Sequence, residues 1–142
     1  MWGILVAVLS GLLMSVQGVF NTQVTKQTSL WVSSAFVQLT ALAVCLGAWA
    51  CKDRSSFGAL FSVRPWYMLL GGVLGALITV TVIRSVDSLG PARSAMLIVI
   101  AQLAGAYLIE LFGLFGMEKQ PLEWRRVMGL AVSIAGIVIF KL

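Results

Sequence analysis

The chain has 142 residues, of which 60% are hydrophobic and 11% charged, with a formal net charge of +5 and no histidine. Soluble domains carry roughly 25% charged residues, so this composition indicates an integral membrane protein with one compact helical domain over residues 1–142. The positive charge does not indicate nucleic-acid binding, because Lys and Arg lie between apolar runs, where they anchor helices at lipid headgroups.

Five apolar runs predict an all-α, polytopic membrane protein with five short transmembrane helices. The expected helices cover, in chain order, residues 2–24, 29–51, 65–84, 92–115 and 123–141. The first run is not read as a signal peptide, since no basic segment precedes it and no small-residue cleavage site follows. We therefore expect it to be retained as a first helix.

Local signals set the expected starts of the second and third helices. Thr28 or Ser29 is suited to cap the second helix, because both side chains accept hydrogen bonds from free N–H groups. Pro65 suits the first turn of the third helix, and Trp66 and Tyr67 beside it are interface anchors.

Glycines mark the later helices. Gly71-x-x-x-Gly75 in the third helix offers a face for close packing, although glycine is also common in membrane helices generally. Gly90-Pro91 separates the third and fourth helices. The last apolar run is short for a span, and its small-residue face, from Gly129 to Gly136, is best explained by packing against protein, such as a second subunit.

Loop charges predict the orientation in the membrane. With five spans, one side holds Lys52, Arg54, Arg64, Lys119, Arg125 and Arg126. The other side holds Lys26, Arg84, Arg93 and Lys141. Six against four favours a cytoplasmic N-terminus, but so small a margin is also typical of a chain that inserts in both orientations.

A small set of polar side chains lies at membrane depth and forms the candidate substrate-binding site. Its members are Gln17, Asn21, Gln38, Gln102, Tyr107 and Glu110. Glu110 leads the set, because an ionisable group inside a membrane is costly and by default indicates function. The structural alternative is that the amides join helices, at about 0.6 kcal/mol per hydrogen bond. Glu110 would then pair with an interfacial Arg or cap the end of its helix.

The sequence contains few residues that could serve in catalysis. No Ser-His-Asp, Cys-His or paired-carboxylate arrangement is present, and no metal site or cofactor is expected. Cys45 and Cys51 lie six residues apart on one expected helix, too far to bridge, so both are expected to be free thiols.

Several motifs resemble the YdcZ-like family, a small branch of the drug/metabolite transporter superfamily. They are Gln17-Gly18-x-x-Asn21, Gln102-Leu103, the run from Leu108 to Gly116, and Arg125-Arg126-x-x-Gly129 with Gly136. The resemblance covers the whole chain. It implies a multi-pass protein of the bacterial inner membrane, about half the size of a full transporter. It further implies an antiparallel dimer with a second copy or a close paralogue.

The closing segment is also similar to the last helix of small multidrug resistance exporters, which there mediates dimerisation. Those exporters place an essential glutamate in the first helix, where this chain has Gln17 and Asn21. Proton-coupled export by their mechanism is therefore not implied. YdcZ-like sequences usually read Ile-Asp where this chain has Ile109-Glu110, which preserves the carboxylate.

Two functional hypotheses follow. In the first, the chain is half of a secondary transporter that moves a small solute through a cavity at the interface of an inverted dimer, within the lipid bilayer. In the second, it is a non-transporting membrane subunit that assembles with or regulates a partner, and its polar residues join helices.

Overall fold

The computed structural model describes residues 1–141, which are mostly helical and contain no strand, so the all-α expectation is confirmed. The main helices are α1 (Trp2–Gln27), α2 (Leu30–Ala48), α3 (Gly71–Leu89), α4 (Pro91–Phe112) and α5 (Trp124–Lys141). A π-helical turn, Trp49–Asp53, extends α2. Shorter 3₁₀ turns cover Phe57–Ser62, Trp66–Leu70 and Leu114–Gly116.

Four helical segments within residues 1–141 are long and apolar enough to cross a bilayer. They are Trp2–Gln27, Leu30–Asp53, Trp66–Leu89 and Pro91–Phe112. Helix α5 has 18 residues and includes Arg125, Arg126 and Lys141, and it is not among these four. The expected fifth helix is therefore present, whereas its crossing of the membrane stays a prediction.

The apolar side chains of these segments point outward. Only 0 to 11% of the residues in each candidate span are buried, although the segments are strongly hydrophobic. In water such a surface would drive aggregation, whereas lipid tails solvate it and the helices satisfy their own backbone polar groups. The protein is thus built for a membrane and has little apolar core of its own.

The chain forms two compact units, residues 1–88 and the part from residue 89 onward. The expectation of one domain over residues 1–142 stays a prediction. In the first unit α1 packs beside α2, where the Ser33 hydroxyl donates to the Asn21 carbonyl at 3.1 Å. Helix α1 also approaches α3 closely, since a methyl group added at Gly18 would lie 3.5 Å from a Val82 methyl. Small and polar residues therefore form the seams of this unit.

Helix α2 begins where the sequence predicts. Ser29 is extended, with φ −154° and ψ 163°, and its hydroxyl accepts a hydrogen bond from the Val32 N–H at 3.2 Å. This arrangement satisfies one of the free N–H groups of the first turn. The prediction that Thr28 or Ser29 caps the helix is confirmed for Ser29.

Helix α3 is displaced from its expected range of 65–84. Pro65 leads into the 3₁₀ turn, and the α-helix proper runs from Gly71 to Leu89. No breaking residue occurs before Gly90-Pro91, so the helix continues through Arg84 and Asp87. One consequence is an ion pair within the first unit, in which Lys26 Nζ lies 3.5 Å from Asp87 Oδ1.

In the second unit, two glycines with positive φ bound α4. Gly90 has φ +81° and precedes Pro91, which is the first residue of α4, one position before the expected start at residue 92. Gly113 ends the helix with φ +63° and donates its N–H to the Glu110 carbonyl. The Gln120 N–H also donates to the Glu110 carbonyl, at 2.9 Å, so the connection to α5 folds back onto the end of α4.

Hydroxyl side chains along the helices bond to carbonyls of their own helix. The bonds, each to the carbonyl four residues earlier, are Ser10 to Val6, Ser15 to Gly11, Thr22 to Gly18, Thr40 to Phe36, Thr81 to Leu77, Ser88 to Arg84 and Ser133 to Gly129. These groups are satisfied locally, so they require no partner on another helix.

Candidate functional site

A groove of about 390 Å³ lies between α4 and α5 in the second unit, and we call it the helix groove. Its wall is mostly apolar, with Leu103 and Ala106 from α4 and Leu130 from α5. The polar members of the lining are Tyr107, Glu110, Arg126 and Ser133. An apolar cleft with a few converging polar groups is the usual form of a small-molecule site.

The charged group at one end of this groove is an ion pair between the two helices. Arg126 Nη1 donates to Glu110 Oε2 at 2.6 Å, and Arg126 Nε lies 3.3 Å from Glu123 Oε2. The hydrogen bond to Glu110 and the charge of Glu123 raise the pKa of Arg126, which lies outside the four spans. The side chains of Arg126 and Glu110 remain 42% and 38% exposed, so water screens the pair and its contribution to stability is small.

The backbone of Glu123, the second acidic residue beside Arg126, is held by a hydrogen bond. The Glu123 N–H donates to the Tyr107 hydroxyl at 3.1 Å, which fixes the residue just before α5 against α4. Together with the bond from Gln120 to the Glu110 carbonyl, this contact ties the connection between the helices to the site. Tyr107 thus positions Glu123, and Glu123 in turn contacts Arg126.

A second cavity, of about 460 Å³, opens on the connecting segment, and we call it the loop cavity. Its lining consists of Glu110, Gly116, Met117, Glu118, Gln120 and Arg126. The helix groove and the loop cavity have only Glu110 and Arg126 in common. The ion pair is therefore the element at which a largely apolar space and a polar space meet.

The predicted site residues of the first unit lie on α1 and α2. Gln17 is exposed, whereas Asn21, four residues later, is only 9% exposed. Gln38 is half-buried and donates from Nε2 to the Thr79 hydroxyl at 3.2 Å. That hydroxyl donates in turn to the Gly75 carbonyl, so Gln38 joins α2 to α3.

In the second unit Tyr107 and Glu110 both line the helix groove, while Gln102 is exposed and lies outside its lining. Residues eight positions apart on an α-helix differ by about 80° in direction, which separates Gln102 from Glu110. Sequence reasoning treated Arg126 as a headgroup anchor and gave Glu123 no role. One signal pointed to Arg126: a carboxylate at membrane depth is costly, and the structural alternative pairs Glu110 with an interfacial Arg.

Metal binding and cysteine chemistry have little support in the described part of the chain. Within residues 1–141 no group of three His, Cys, Asp or Glu side chains is placed to hold a metal ion. Cys45 and Cys51 are both free and exposed, so the expectation of free thiols is confirmed.

Within residues 1–141, four apolar helical segments long enough to span a bilayer define a polytopic membrane protein, and an ion pair lies in a cleft between two of its helices. The sequence model of a known family, DMT_YdcZ, matches residues 2–139. Its description is "Putative inner membrane exporter, YdcZ". The chain belongs to this family, as its motifs predict.

Membership places the chain in a family that is described as inner membrane exporters and is not a family of enzymes. The expected class, transporter, and the expected location, the inner membrane, are thereby confirmed at the level of the family. No curated protein and no solved structure shows significant similarity to the chain.

Proposed function

We propose that this protein is one half of an exporter, in which two copies, or this chain and a close paralogue, pack in opposite orientations around a shared cavity. A small solute crosses the membrane through that cavity. The residues that contact it are Gln17, Asn21, Gln38, Gln102, Tyr107 and Glu110.

The observation that carries the proposal is the family match over residues 2–139, nearly the whole chain, whose described residues, 1–141, form five main helices. So few helices leave little width for an aqueous path within one protomer. Transporters built from inverted repeats place their substrates at the repeat interface, near the middle of the membrane. A second, inverted copy would supply the missing half.

The chemistry of the site favours a solute recognised largely through neutral hydrogen bonds. Three of the six proposed residues are side-chain amides of Gln, one is Asn and one is the Tyr107 phenol. Glu110 already has a charged partner in Arg126. A bound solute therefore meets amide donors and acceptors together with a neutralised ion pair.

A flux assay with purified protein in liposomes tests the site. We expect Gln17→Ala and Asn21→Ala each to abolish transport of a solute identified in a metabolite screen, because an amide that contacts the solute is removed. Gln23→Ala is the matched control, since Gln23 is an exposed amide on the same helix and outside the proposed site. Wild-type flux in both site variants would overturn the assignment, provided that all variants elute as the wild type does from size exclusion.

The second candidate, a non-transporting subunit, is favoured by two observations: the hydrogen bond of Gln38 to Thr79 joins two helices, and Glu110 pairs with Arg126. Single cysteines at positions 17, 21, 38 and 102, in a chain whose Cys45 and Cys51 are replaced by Ala, separate the two candidates. Labelling by a charged thiol reagent supports a water-filled cavity. Uniform protection at all four positions supports the non-transporting subunit.

A further inference from the structure

We propose that the Glu110–Arg126 ion pair is a gate between the helix groove and the loop cavity, and that Arg126 opens it by leaving Glu110 and keeping Glu123. This assigns a positioning role to Arg126 and Glu123. The part that the gate plays in export rests on the proposed function, whereas the barrier itself does not.

The first support is the position of the pair. The helix groove is lined by side chains of α4 and α5, and the loop cavity by the connecting segment and the same two charged residues. Since Glu110 and Arg126 alone line both spaces, their 2.6 Å contact lies at the boundary between the two. Separation of the two side chains would join the spaces.

The second support is a replacement partner for the charge that moves. Arg126 Nε already lies 3.3 Å from Glu123 Oε2, three residues earlier in the chain. Glu110 is on α4, whereas Glu123 directly precedes α5. When the Arg126 side chain turns away from Glu110, Glu123 therefore stays within its reach, and the guanidinium is not left without a carboxylate.

The third support is that Glu123, the replacement partner of Arg126, is held in position. The Tyr107 hydroxyl accepts the Glu123 N–H through the backbone, which leaves the Glu123 carboxylate available to Arg126. Both carboxylates thus lie within reach of one guanidinium, and the side chains of the ion pair are partly exposed. An ion pair that water screens contributes little stability, so the separation of Arg126 from Glu110 costs little free energy.

Thiol accessibility tests the gate without a substrate. In a chain with Cys45→Ala and Cys51→Ala, we place one cysteine in each space, by Ser133→Cys in the helix groove and Met117→Cys in the loop cavity. The labelling rate with a charged, membrane-impermeant thiol reagent is measured by mass spectrometry in permeabilised proteoliposomes. We expect rapid labelling at position 117 and slow labelling at position 133.

Substitutions in the Glu110–Arg126 pair should change the labelling rate at position 133 and leave the rate at position 117 unchanged. Arg126→Gln and Glu110→Gln should each raise the rate at position 133 about tenfold, as when a minor open state becomes the main one. The rate at position 117 should not change. Arg126→Lys keeps a cation opposite Glu110 and should stay slow. Glu123→Gln removes the partner of the open state, so it should label position 133 no faster than the parent protein does.

Three results would overturn the gate. They are equal rates at positions 117 and 133 in the parent, an unchanged rate at position 133 in both Arg126→Gln and Glu110→Gln, and acceleration by Glu123→Gln. If one of the first two variants fails to elute as the parent does, the other carries the comparison. A chain that transports nothing can still pass this test, and an exporter can fail it, so the gate and the proposed function are judged separately.

Discussion

Gln38 illustrates how one amide at membrane depth serves structure. Its bond to the Thr79 hydroxyl is a contact between two helices of the first unit, and that hydroxyl also bonds to Gly75 of its own helix. Polar contacts of this kind hold membrane helices together where apolar surfaces gain nothing by leaving lipid. The bond therefore connects α2 to α3 whether or not a solute also meets the amide.

Removal of this hydroxyl should weaken the first unit slightly. We expect Thr79→Val, which preserves the shape of the side chain, to lower the free energy of unfolding by about 0.6 kcal/mol, the average value for such bonds. Thermal or denaturant unfolding in detergent measures the effect. Thr81→Val is the matched control, because the Thr81 hydroxyl is exposed and bonds to Leu77 of the same helix. An equal loss in both variants would contradict a role in joining helices.

At the scale of single elements, the end of α4 is fixed by the backbone of one glycine. Gly113 has φ +63°, and a methyl group there would lie 3.2 Å from Lys119 Cβ and 3.3 Å from the Met117 carbonyl. The turn at Gly113 directs the connecting segment back toward Glu110. Its conformation thus determines where the loop cavity forms.

Gly113→Ala should therefore lower the free energy of unfolding by about 1 to 2 kcal/mol, the cost of a left-handed conformation for an L-residue. The crowding by Lys119 and Met117 adds to this cost. Gly105→Ala serves as control, since Gly105 lies within α4 and a methyl group there meets no atom within 4 Å. Unfolding midpoints of the two variants, measured in the same detergent, give the comparison. A variant at Gly113 as stable as that at Gly105 would contradict the argument.

The sequence predicts most element boundaries, because local chemistry sets them. Ser29 caps α2 with its own side chain, and Gly90-Pro91 both ends α3 and starts α4. The expected end of the third helix, residue 84, is too early, since α3 continues to Leu89. In the structure Asp87 pairs with Lys26, a contact between distant parts of the chain that no local pattern reveals.

The site was predictable only in part, for the same reason. Tyr107 and Glu110 are three positions apart on one helix, so periodicity places them together. Arg126 and Glu123 come to them through the fold of the connecting segment, where backbone bonds to Glu110 and Tyr107 set the geometry. Sequence spacing carries no information about such a return of the chain.

At the scale of the whole molecule, we expect few charges to decide which way the chain faces. Neutralising Arg125 and Arg126 together, as Gln, changes the loop count from six against four to four against four (6 − 2 = 4). We expect the N-terminus then to distribute more evenly between the two sides of the membrane, as reporter fusions or site-specific labelling would measure.

The double change also removes the Glu110–Arg126 pair, so a second variant controls for this loss. Lys119→Gln with Arg125→Gln gives the same count and leaves the pair intact. Both variants should shift the distribution alike. The same single orientation in the wild type and both variants would show that something other than loop charge fixes the topology.

The locally satisfied hydroxyls have a consequence for biogenesis. A Ser or Thr that bonds to a carbonyl of its own helix, as Ser10, Thr40 and Thr81 do, can leave the translocation machinery and enter lipid before any other helix is present. The hydrogen bonds of these side chains are the same whichever side of the membrane the N-terminus of the helix reaches. These hydroxyl groups therefore favour neither direction of insertion. We expect the Lys and Arg residues of the loops to set the orientation instead.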